Sequence, residues 1–191
     1  MAFDAEEFYK EHIATKSQLI RDYRKSKEEV EKQPATPVEG EAALVAAGGR
    51  KITGSQQDQL KWLFAGRAIF TVRNSKTGNR FTYSISKNKK DEKLFWVAVL
   101  RGPDNTSDYT PLGRIVRNDS GGTYLRNRSS KIGEDAQSHK VFAWFFRMLV
   151  AGTLPDFIEI WHAGRCGRCG RLLTVPESVE RGIGPECAGR F

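Results

Sequence analysis

Cysteine is scarce in this sequence, and long runs of apolar residues do not occur. Only three of the 191 residues are cysteine. An odd number of thiols cannot pair completely within one chain, which excludes the disulfide framework of a small secreted domain. No stretch of about eighteen apolar residues exists, so a transmembrane helix is excluded. The first seven residues, MAFDAEE, are acidic and lack the apolar core of a secretory signal. We therefore expect a cytoplasmic protein without a membrane partner.

The sequence also lacks the motifs of common catalytic sites. It contains no phosphate-binding GxxxxGK[ST] loop, no HExxH motif and no GxSxG nucleophile elbow. The acidic residues between positions 51 and 132 fall mostly in or beside predicted turns, where aspartate is favoured for backbone reasons. A metal-dependent nuclease would need two or three of them to converge, with Asp104 and Asp108 as candidates. We expect a protein without catalytic activity and keep the nuclease as the less favoured alternative.

Positive charge is abundant and is concentrated in one part of the chain. The composition is that of a globular protein, with 39% hydrophobic and 28% charged residues and a net charge of +8. Residues 51–132 carry 16 Lys and Arg against 6 Asp and Glu, a net charge of +10. Such a block is typical of a surface that neutralises nucleic-acid phosphates. Solvated cations that protect strand edges give the same composition.

The residue pattern divides the chain into four regions. Residues 1–33 place a few apolar side chains at helical spacing, which predicts an N-terminal helix that docks on the body of the protein or on a partner. Residues 34–53 contain two prolines and three glycines and predict a flexible linker. Residues 54–156 predict a basic α+β core domain, and residues 157–191 a zinc-binding module.

The core region combines two kinds of periodicity. Between residues 67 and 126, apolar and polar residues alternate and short turn sequences intervene, which predicts antiparallel strands. Residues 94–100 (LFWVAVL) predict a central strand buried on both faces, with Phe81 and Trp96 in the core. Residues 139–151 (HKVFAWFFRMLVA) predict a buried helix capped by Ser138. The predicted fold class is α+β: an antiparallel sheet packed on a helix, with an N-terminal helix and a C-terminal zinc-knuckle or treble-clef-like module.

The three cysteines lie in one short C-terminal stretch. Cys166, Cys169 and Cys187 form a Cys-x2-Cys-x17-Cys pattern, and His162 precedes the first of them by four residues. Three thiolates and one imidazole complete a tetrahedral Zn²⁺ site with no open position, which predicts a structural role. Pro185 places Cys187 near the start of a helix. The alternative for Cys-x2-Cys is a redox dithiol, but the third cysteine and the histidine argue against it.

The stretch from residue 162 to residue 188 resembles a known family. Its segment CGRCGRLLTVPESVERGIGPECA is similar to an uncharacterised zinc-binding domain of tailed-phage and some bacterial proteins. The family pattern is Cys-Gly-x-Cys-Gly-Arg-x-Leu-Thr, then Pro-Glu-Ser, then Gly-Ile-Gly-Pro-x-Cys, with His162 at a frequent upstream ligand position. The resemblance covers less than a fifth of the chain. It implies a phage origin, hence the cytoplasm of a bacterial host, and a zinc site; it implies no activity.

The candidate nucleic-acid-binding residues are basic side chains on predicted strands, in turns or in the knuckle. They are Arg73, Lys76, Arg80, Lys87, Lys89, Lys90, Arg114, Arg117, Arg126, Arg128, Arg165 and Arg168. Aromatic residues between these cations would offer stacking surfaces for bases.

Two functions follow as expectations. The first is a phage-encoded, non-catalytic zinc-binding protein that binds DNA or RNA through a basic β-sheet surface, the type of nucleic acid being open. The alternative is a protein-interaction module that binds or inhibits a host or defence protein.

Overall fold

The computed structural model describes residues 49–102, 104 and 106–189. The helix predicted over residues 1–33 and most of the linker predicted over residues 34–53 lie outside this part of the chain. None of the helices within it is long and apolar enough to cross a membrane.

The described residues form a mixed sequence of strands and helices. In chain order these are β1 (Arg50–Lys51), α1 (Gln56–Leu63), β2 (Arg67–Asn74), β3 (Arg80–Lys87), β4 (Leu94–Leu100), β5 (Tyr109–Val116), β6 (Thr123–Arg126), α2 (Gln137–Val150), β7 (Ile158–His162), α3 (Pro176–Arg181) and α4 (Pro185–Ala188).

All seven strands belong to one sheet, with the order β1-β7-β2-β3-β4-β5-β6. Every neighbouring pair is antiparallel, which confirms the predicted antiparallel sheet. The strands from β2 to β6 follow one another as hairpins, as short turns require. The turn after β2 shows why: the Asn74 side chain accepts hydrogen bonds from the Lys76 and Thr77 N–H groups, and Gly78 adopts a positive φ of 75°.

The last strand does not follow this order. β7 is inserted between β1 and β2, so the chain returns across the molecule after α2. Residues 158–162, which are predicted from the sequence as part of the zinc-binding module, therefore form a strand of the core sheet. β1 likewise falls inside the segment predicted as linker and pairs with β7.

One face of the sheet, here called the inner face, packs against α1 and α2. Alternate strand residues point to this face and are buried, among them Phe70 in β2 and Tyr83 in β3. The Phe145 ring of α2 lies 6.0 Å from the Phe70 ring, and the Phe142 ring lies 5.0 Å from the Tyr83 ring. The predicted packing of a buried aromatic helix on the sheet is confirmed. These four rings are among the largest fully buried side chains, and their removal from water stabilises the fold.

The start of α2 differs from its prediction. The helix begins at Gln137, after an Ala136 N-cap that makes no side-chain hydrogen bond. Ser138 therefore lies in the first turn and does not cap the helix. Its carbonyl oxygen instead accepts a hydrogen bond of 2.8 Å from the Tyr83 hydroxyl, which ties the helix to β3.

The opposite face of the sheet, here called the outer face, is covered by none of the described helices. On β4 the residues Phe95, Val97 and Val99 point to the inner face and are buried, whereas Trp96 points to the outer face and is 47% exposed. The prediction that Trp96 lies in the core is wrong, because an apolar run does not tell which of its alternate residues is covered. Phe81 is half-buried on the inner face, 6.3 Å from the Tyr83 ring.

Candidate functional site

The three cysteines come together at the C-terminal end of the described chain. The Sγ atoms of Cys166, Cys169 and Cys187 all lie within 4.8 Å of one another. Three sulfurs bound to one tetrahedral ion at about 2.3 Å would be about 3.8 Å apart, so the group needs only a small contraction. The prediction that these residues form one cluster is confirmed, and the cluster could hold a metal ion.

Local backbone structure positions each thiol. Residues 163–189 are here called the knuckle. The knuckle contains a turn from Cys166 to Arg171, which is closed by two hydrogen bonds of 2.8 Å. One runs from the Cys166 N–H to the Arg171 carbonyl, and the other from the Gly170 N–H to the Cys166 carbonyl. Gly170 has a φ of +78°, which favours glycine. Cys187 lies in the short helix α4, which starts at Pro185 as the sequence predicts.

The thiols differ in how readily they ionise. Burial raises the pKa of the Cys166 thiol, but hydrogen bonds from the Gly184, Cys169 and Arg168 backbones outweigh burial and lower its pKa to about 7. Burial and the two neighbouring thiols raise the pKa of Cys187 to about 11. Backbone N–H groups aimed at sulfur are typical of metal–thiolate sites. The donor set fits a metal, whose charge would hold all three groups as thiolates.

His162, the predicted fourth ligand, is not among the residues that the structure brings together in this cluster. It lies on the inner face at the end of β7, where it is buried beside Trp62, with ring centroids 5.8 Å apart. Its Nε2–H donates a hydrogen bond of 2.8 Å to the Val179 carbonyl of α3. Burial lowers the pKa of the ring. The residue joins the sheet to α3, and its Nδ1 has no hydrogen-bond partner among the described residues.

Trp62 of α1 is the contact on which the knuckle rests. Its Nε1–H donates a hydrogen bond of 2.9 Å to the Gly182 carbonyl. A Cβ on Gly182 would lie 2.2 Å from that nitrogen, and one on Gly167 would lie 2.9 Å from it. Glycine at both positions therefore allows the close approach. Nothing in the spacing of the sequence singles out Trp62 for this role.

Arg73, one of the predicted nucleic-acid-binding residues, is buried and does not lie on an accessible surface. It points to the outer face, but the strand inserted beside it brings Glu159 directly opposite. The two side chains are buried and form an ion pair of 2.8 Å. Lys51 and Trp161 also donate to Glu159. Burial alone would raise the pKa of Glu159, but these hydrogen bonds lower it below its usual value.

Several other predicted cations have intramolecular partners. Arg126 donates to the Ile132 carbonyl at 2.6 Å, and the Lys87 ammonium pairs with the exposed Glu92 at 2.8 Å. Arg117 and Lys76 stand over the phenylalanine rings of residues 64 and 157.

The remaining predicted cations are mostly accessible. Lys89, Lys90, Arg114, Arg128 and Arg165 are exposed, whereas Arg80 and Arg168 are half-buried. Arg168 donates to the Cys187 carbonyl at 3.3 Å, and Arg165 donates to the Gly170 carbonyl at 3.2 Å. The structure therefore leaves a smaller set of cations on the surface than the sequence predicted.

One row of the outer face is exposed across five adjacent strands. The register pairs its members in turn from β2 to β6: Arg67, Ser86, Trp96, Arg114 and Leu125. All five are exposed, Leu125 to 40%. At a strand spacing of about 4.8 Å the row is about 19 Å long. The predicted nucleic-acid-binding residues do not include Arg67, and Trp96 is predicted from the sequence to lie in the core. One signal in the sequence could have indicated the exposure of Trp96: in β4 the tryptophan alternates with the valines, so it points to the opposite face of the sheet.

The row and the knuckle meet at the start of β2. The Arg67 N–H donates a hydrogen bond of 2.6 Å to the Gly167 carbonyl of the knuckle. A Cβ on Gly66 would lie 3.9 Å from the Lys87 Cβ and 4.0 Å from the Arg168 carbonyl oxygen. Three basic residues therefore lie near the same end of the row: Arg67 of β2, Lys87 of β3 and Arg168 of the knuckle.

Asp104 and Asp108, the nuclease candidates, lie in the loop before β5 and build its turn. Asp108 accepts a hydrogen bond from the Asp104 N–H at 3.0 Å, and Asp104 accepts one from Thr106 at 2.7 Å. Within the described ranges, the cysteine cluster is the only group of three or more His, Cys, Asp or Glu residues close enough to hold a metal.

Comparison with known proteins concerns the C-terminal stretch alone. Residues 162–191 match a family of unknown function, DUF6011. No curated protein and no solved structure matches the chain. The family match covers all three cysteines and stops short of the sheet apart from His162.

Proposed function

We propose that this protein binds nucleic acid, without catalysis, through the exposed row of its outer sheet face, and that a structural zinc ion holds the knuckle at one end of that row. The observation that carries the proposal is the row itself. It sets two arginines and an exposed tryptophan on one open surface, next to a basic knuckle.

Zinc is supported by the chemistry of the ligands and by the lack of a core in the knuckle. Thiolates are the usual ligands of structural zinc. Within residues 163–189 the buried residues are Cys166, Ser178 and glycines, whereas Leu172 is 65% exposed. A segment without buried large apolar side chains has little to hold it folded. Metal binding supplies roughly 10–16 kcal/mol of apparent stabilisation in comparable zinc peptides.

Charge supports nucleic acid as the partner. Residues 51–132 have a net charge of +10, and the exposed row contains no acidic residue. Ion pairs remove Arg73 and Lys87 from the available charge, but Arg67 and Arg114 are exposed on the row and Lys89 and Lys90 in the following loop. A surface of this kind attracts phosphates, and binding releases the counterions that are condensed on the nucleic acid. We also propose that the protein is encoded by a phage and acts in the cytoplasm of a bacterial host. The support for this part is the resemblance of residues 162–188 alone.

The test is binding of fluorescently labelled DNA and RNA by anisotropy at several salt concentrations, with the metal retained. Arg114→Gln should weaken binding, and it should make the dependence of affinity on salt shallower because one phosphate contact is lost. Lys140→Gln is the matched control, since Lys140 is an exposed cation on α2, away from the outer face. Equal effects of the two substitutions, or no binding by the wild type at low salt, would contradict the proposal.

A second candidate is a protein-interaction module. The observation that favours it is apolar exposure on the same face, where Val116 is 38% exposed next to the row. A partner protein, for instance a host or defence protein, would bury these apolar side chains. This candidate predicts only weak binding to every nucleic acid tested, and specific binding to a partner protein.

A further inference from the structure

We infer that the exposed row is a base-stacking platform that takes single-stranded nucleic acid, with the Trp96 indole as the stacking surface. The inference rests on the proposed function and narrows it to one class of ligand. The observation behind it is the placement of a large aromatic side chain, 47% exposed, between an exposed serine and an exposed arginine on the outer face of the sheet.

The exposure of Trp96 sets it apart from the other three tryptophans. Trp62 and Trp161 are buried, and Trp144 is half-buried on α2. Scattered exposed apolar side chains are ordinary, but contiguous ones mark a binding surface. Val116 and Leu125 lie on the same face on the two following strands and are also exposed. Exposed apolar side chains therefore occur on each of three adjacent strands of the outer face, from β4 to β6.

The neighbours of Trp96 leave its ring accessible and supply charge on both sides. Ser86, directly opposite on β3, is too small to cover an indole. Arg114, directly opposite on β5, lies about 5 Å away between strand axes, and Arg67 lies about 10 Å away on the other side. A base on the indole would thus have a guanidinium on each side of it. The phosphates that flank that base are the groups that guanidinium ions bind best.

This arrangement favours a single strand over a duplex. In a duplex the bases are stacked on one another and paired, so their faces are closed to a side chain on a flat sheet. A single strand presents its base faces and its phosphates together. A duplex could still contact the arginines through its phosphates. Trp96 should therefore contribute to the binding of single strands alone.

The experiment compares the wild type with Trp96→Ala, Trp96→Phe and Val175→Ala. The probes are a labelled oligothymidylate, the same length of oligouridylate, and a DNA duplex. Trp96→Ala should weaken single-strand binding roughly ten- to a hundredfold, the usual effect of losing one aromatic stacking surface. It should leave duplex binding within about twofold. Trp96→Phe should restore most of the affinity. Val175→Ala changes an apolar residue that is exposed to 48% but lies outside the sheet, before α3, and it should change the affinity little.

Each result separates the inference from the function on which it rests. If the wild type binds nucleic acid with steep salt dependence but Trp96→Ala binds single strands equally well, the stacking inference fails and the proposed function stands. If the wild type binds no probe, both fail. Sedimentation of the wild type and of Trp96→Ala tests whether a second copy of the protein binds to the row. Self-association that the substitution abolishes would make the row an interface between copies and would overturn the inference. Circular dichroism confirms that each variant is folded. Should Trp96→Ala not fold, Trp96→Thr provides the test, because threonine suits a strand and offers no aromatic surface.

Discussion

The sheet and the knuckle are held together by different forces. In the sheet, the inner-face residues and the rings of α1 and α2 bury one another. In the knuckle, residues 163–189 bury glycines, a serine and Cys166, and the atoms that converge are three thiol sulfurs. The sheet is stabilised by removing apolar area from water. Under the proposal above, the knuckle depends instead on three thiolate ligands around a metal ion. The two parts should therefore respond to different perturbations.

The two parts nevertheless touch at defined points. Trp62 and His162 donate hydrogen bonds to the carbonyls of Gly182 and Val179, and Arg67 donates one to Gly167. These contacts fix where the knuckle lies relative to β2 and β7. The predictions below ask how far each part folds without the other, beginning with the largest expected effect.

Removing the metal should affect the knuckle most. We expect Cys166→Ser, or a chelator, to release the metal ion and to abolish amide protection in residues 163–189. The effect is large because metal binding provides about 10 kcal/mol or more, and no apolar core replaces it. Hydrogen exchange read region by region, together with metal analysis, measures this. Thr174→Ser, an exposed residue of the same segment, is the control and should keep its metal. Equal loss of protection in β3 and β4 would show that the two parts fold as one unit.

Opening the core should affect the sheet and spare the metal. Phe142 is fully buried on α2 and contacts Tyr83 and Tyr124. Phe142→Ala should lower the free energy of unfolding by about 3–5 kcal/mol, because it removes a ring and leaves a cavity. Urea denaturation measures the loss, and metal analysis of the folded fraction should show full occupancy. Lys140→Ala on the exposed side of the same helix should change stability little. Metal loss under native conditions would contradict the separation of the two parts.

The buried carboxylate of Glu159 should make the sheet sensitive to acid. Its pKa is lower in the folded protein than its usual value of about 4.5, so the unfolded chain binds the proton more tightly. This contribution to stability is present at pH values above about 4.5 and is lost as the pH falls through the folded-state pKa. Glu159→Gln should lower the free energy of unfolding at pH 7 by about 3 kcal/mol, because Arg73 is left buried without its partner.

The comparison of Glu159→Gln with the wild type at two pH values is the check. The difference in unfolding free energy should shrink between pH 7 and pH 3. Glu134→Gln is the matched control, since Glu134 is exposed and pairs with Arg126 at 3.4 Å. A difference that does not change with pH would mean that the charge of Glu159 is not what stabilises the β2–β7 pair.

Local patterns predict much of this fold. The alternation of residues between 67 and 126, with its short turns, indicates the run of hairpins from β2 to β6, and the aromatic periodicity after residue 138 indicates α2. The Cys-x2-Cys-x17-Cys spacing correctly groups Cys166, Cys169 and Cys187. In the hairpins and in α2 the interacting residues are near in sequence, and three closely spaced cysteines have few uses other than metal binding. These features can therefore be predicted without knowledge of the tertiary structure.

Long-range placement is what the sequence does not reveal. The insertion of β7 pairs Arg73 with Glu159, 86 positions apart, and it turns an expected surface cation into a buried one. Trp96 differs in the opposite direction, because a residue expected in the core is exposed. Its exposure depends on what covers the outer face and not on the sequence of its own strand. His162 stands at ligand spacing from Cys166, yet its strand pairs with β2 and directs the ring to the inner face. Nothing local distinguishes these alternatives.

His162 gives the smallest expected effect and the sharpest test of the boundary between the two parts. A fourth metal ligand would be required for full metal affinity, whereas a residue that donates one hydrogen bond to Val179 contributes about 1 kcal/mol. We therefore expect His162→Ala to keep the metal at wild-type stoichiometry and to lower stability only slightly. The spectrum of the Co²⁺-substituted protein should be the same as that of the wild type, because the ligand set is unchanged. His139→Ala controls for the loss of a histidine elsewhere in the chain. A changed Co²⁺ spectrum, or a large drop in metal affinity for His162→Ala alone, would return His162 to the ligand set and would make the end of β7 part of the metal site.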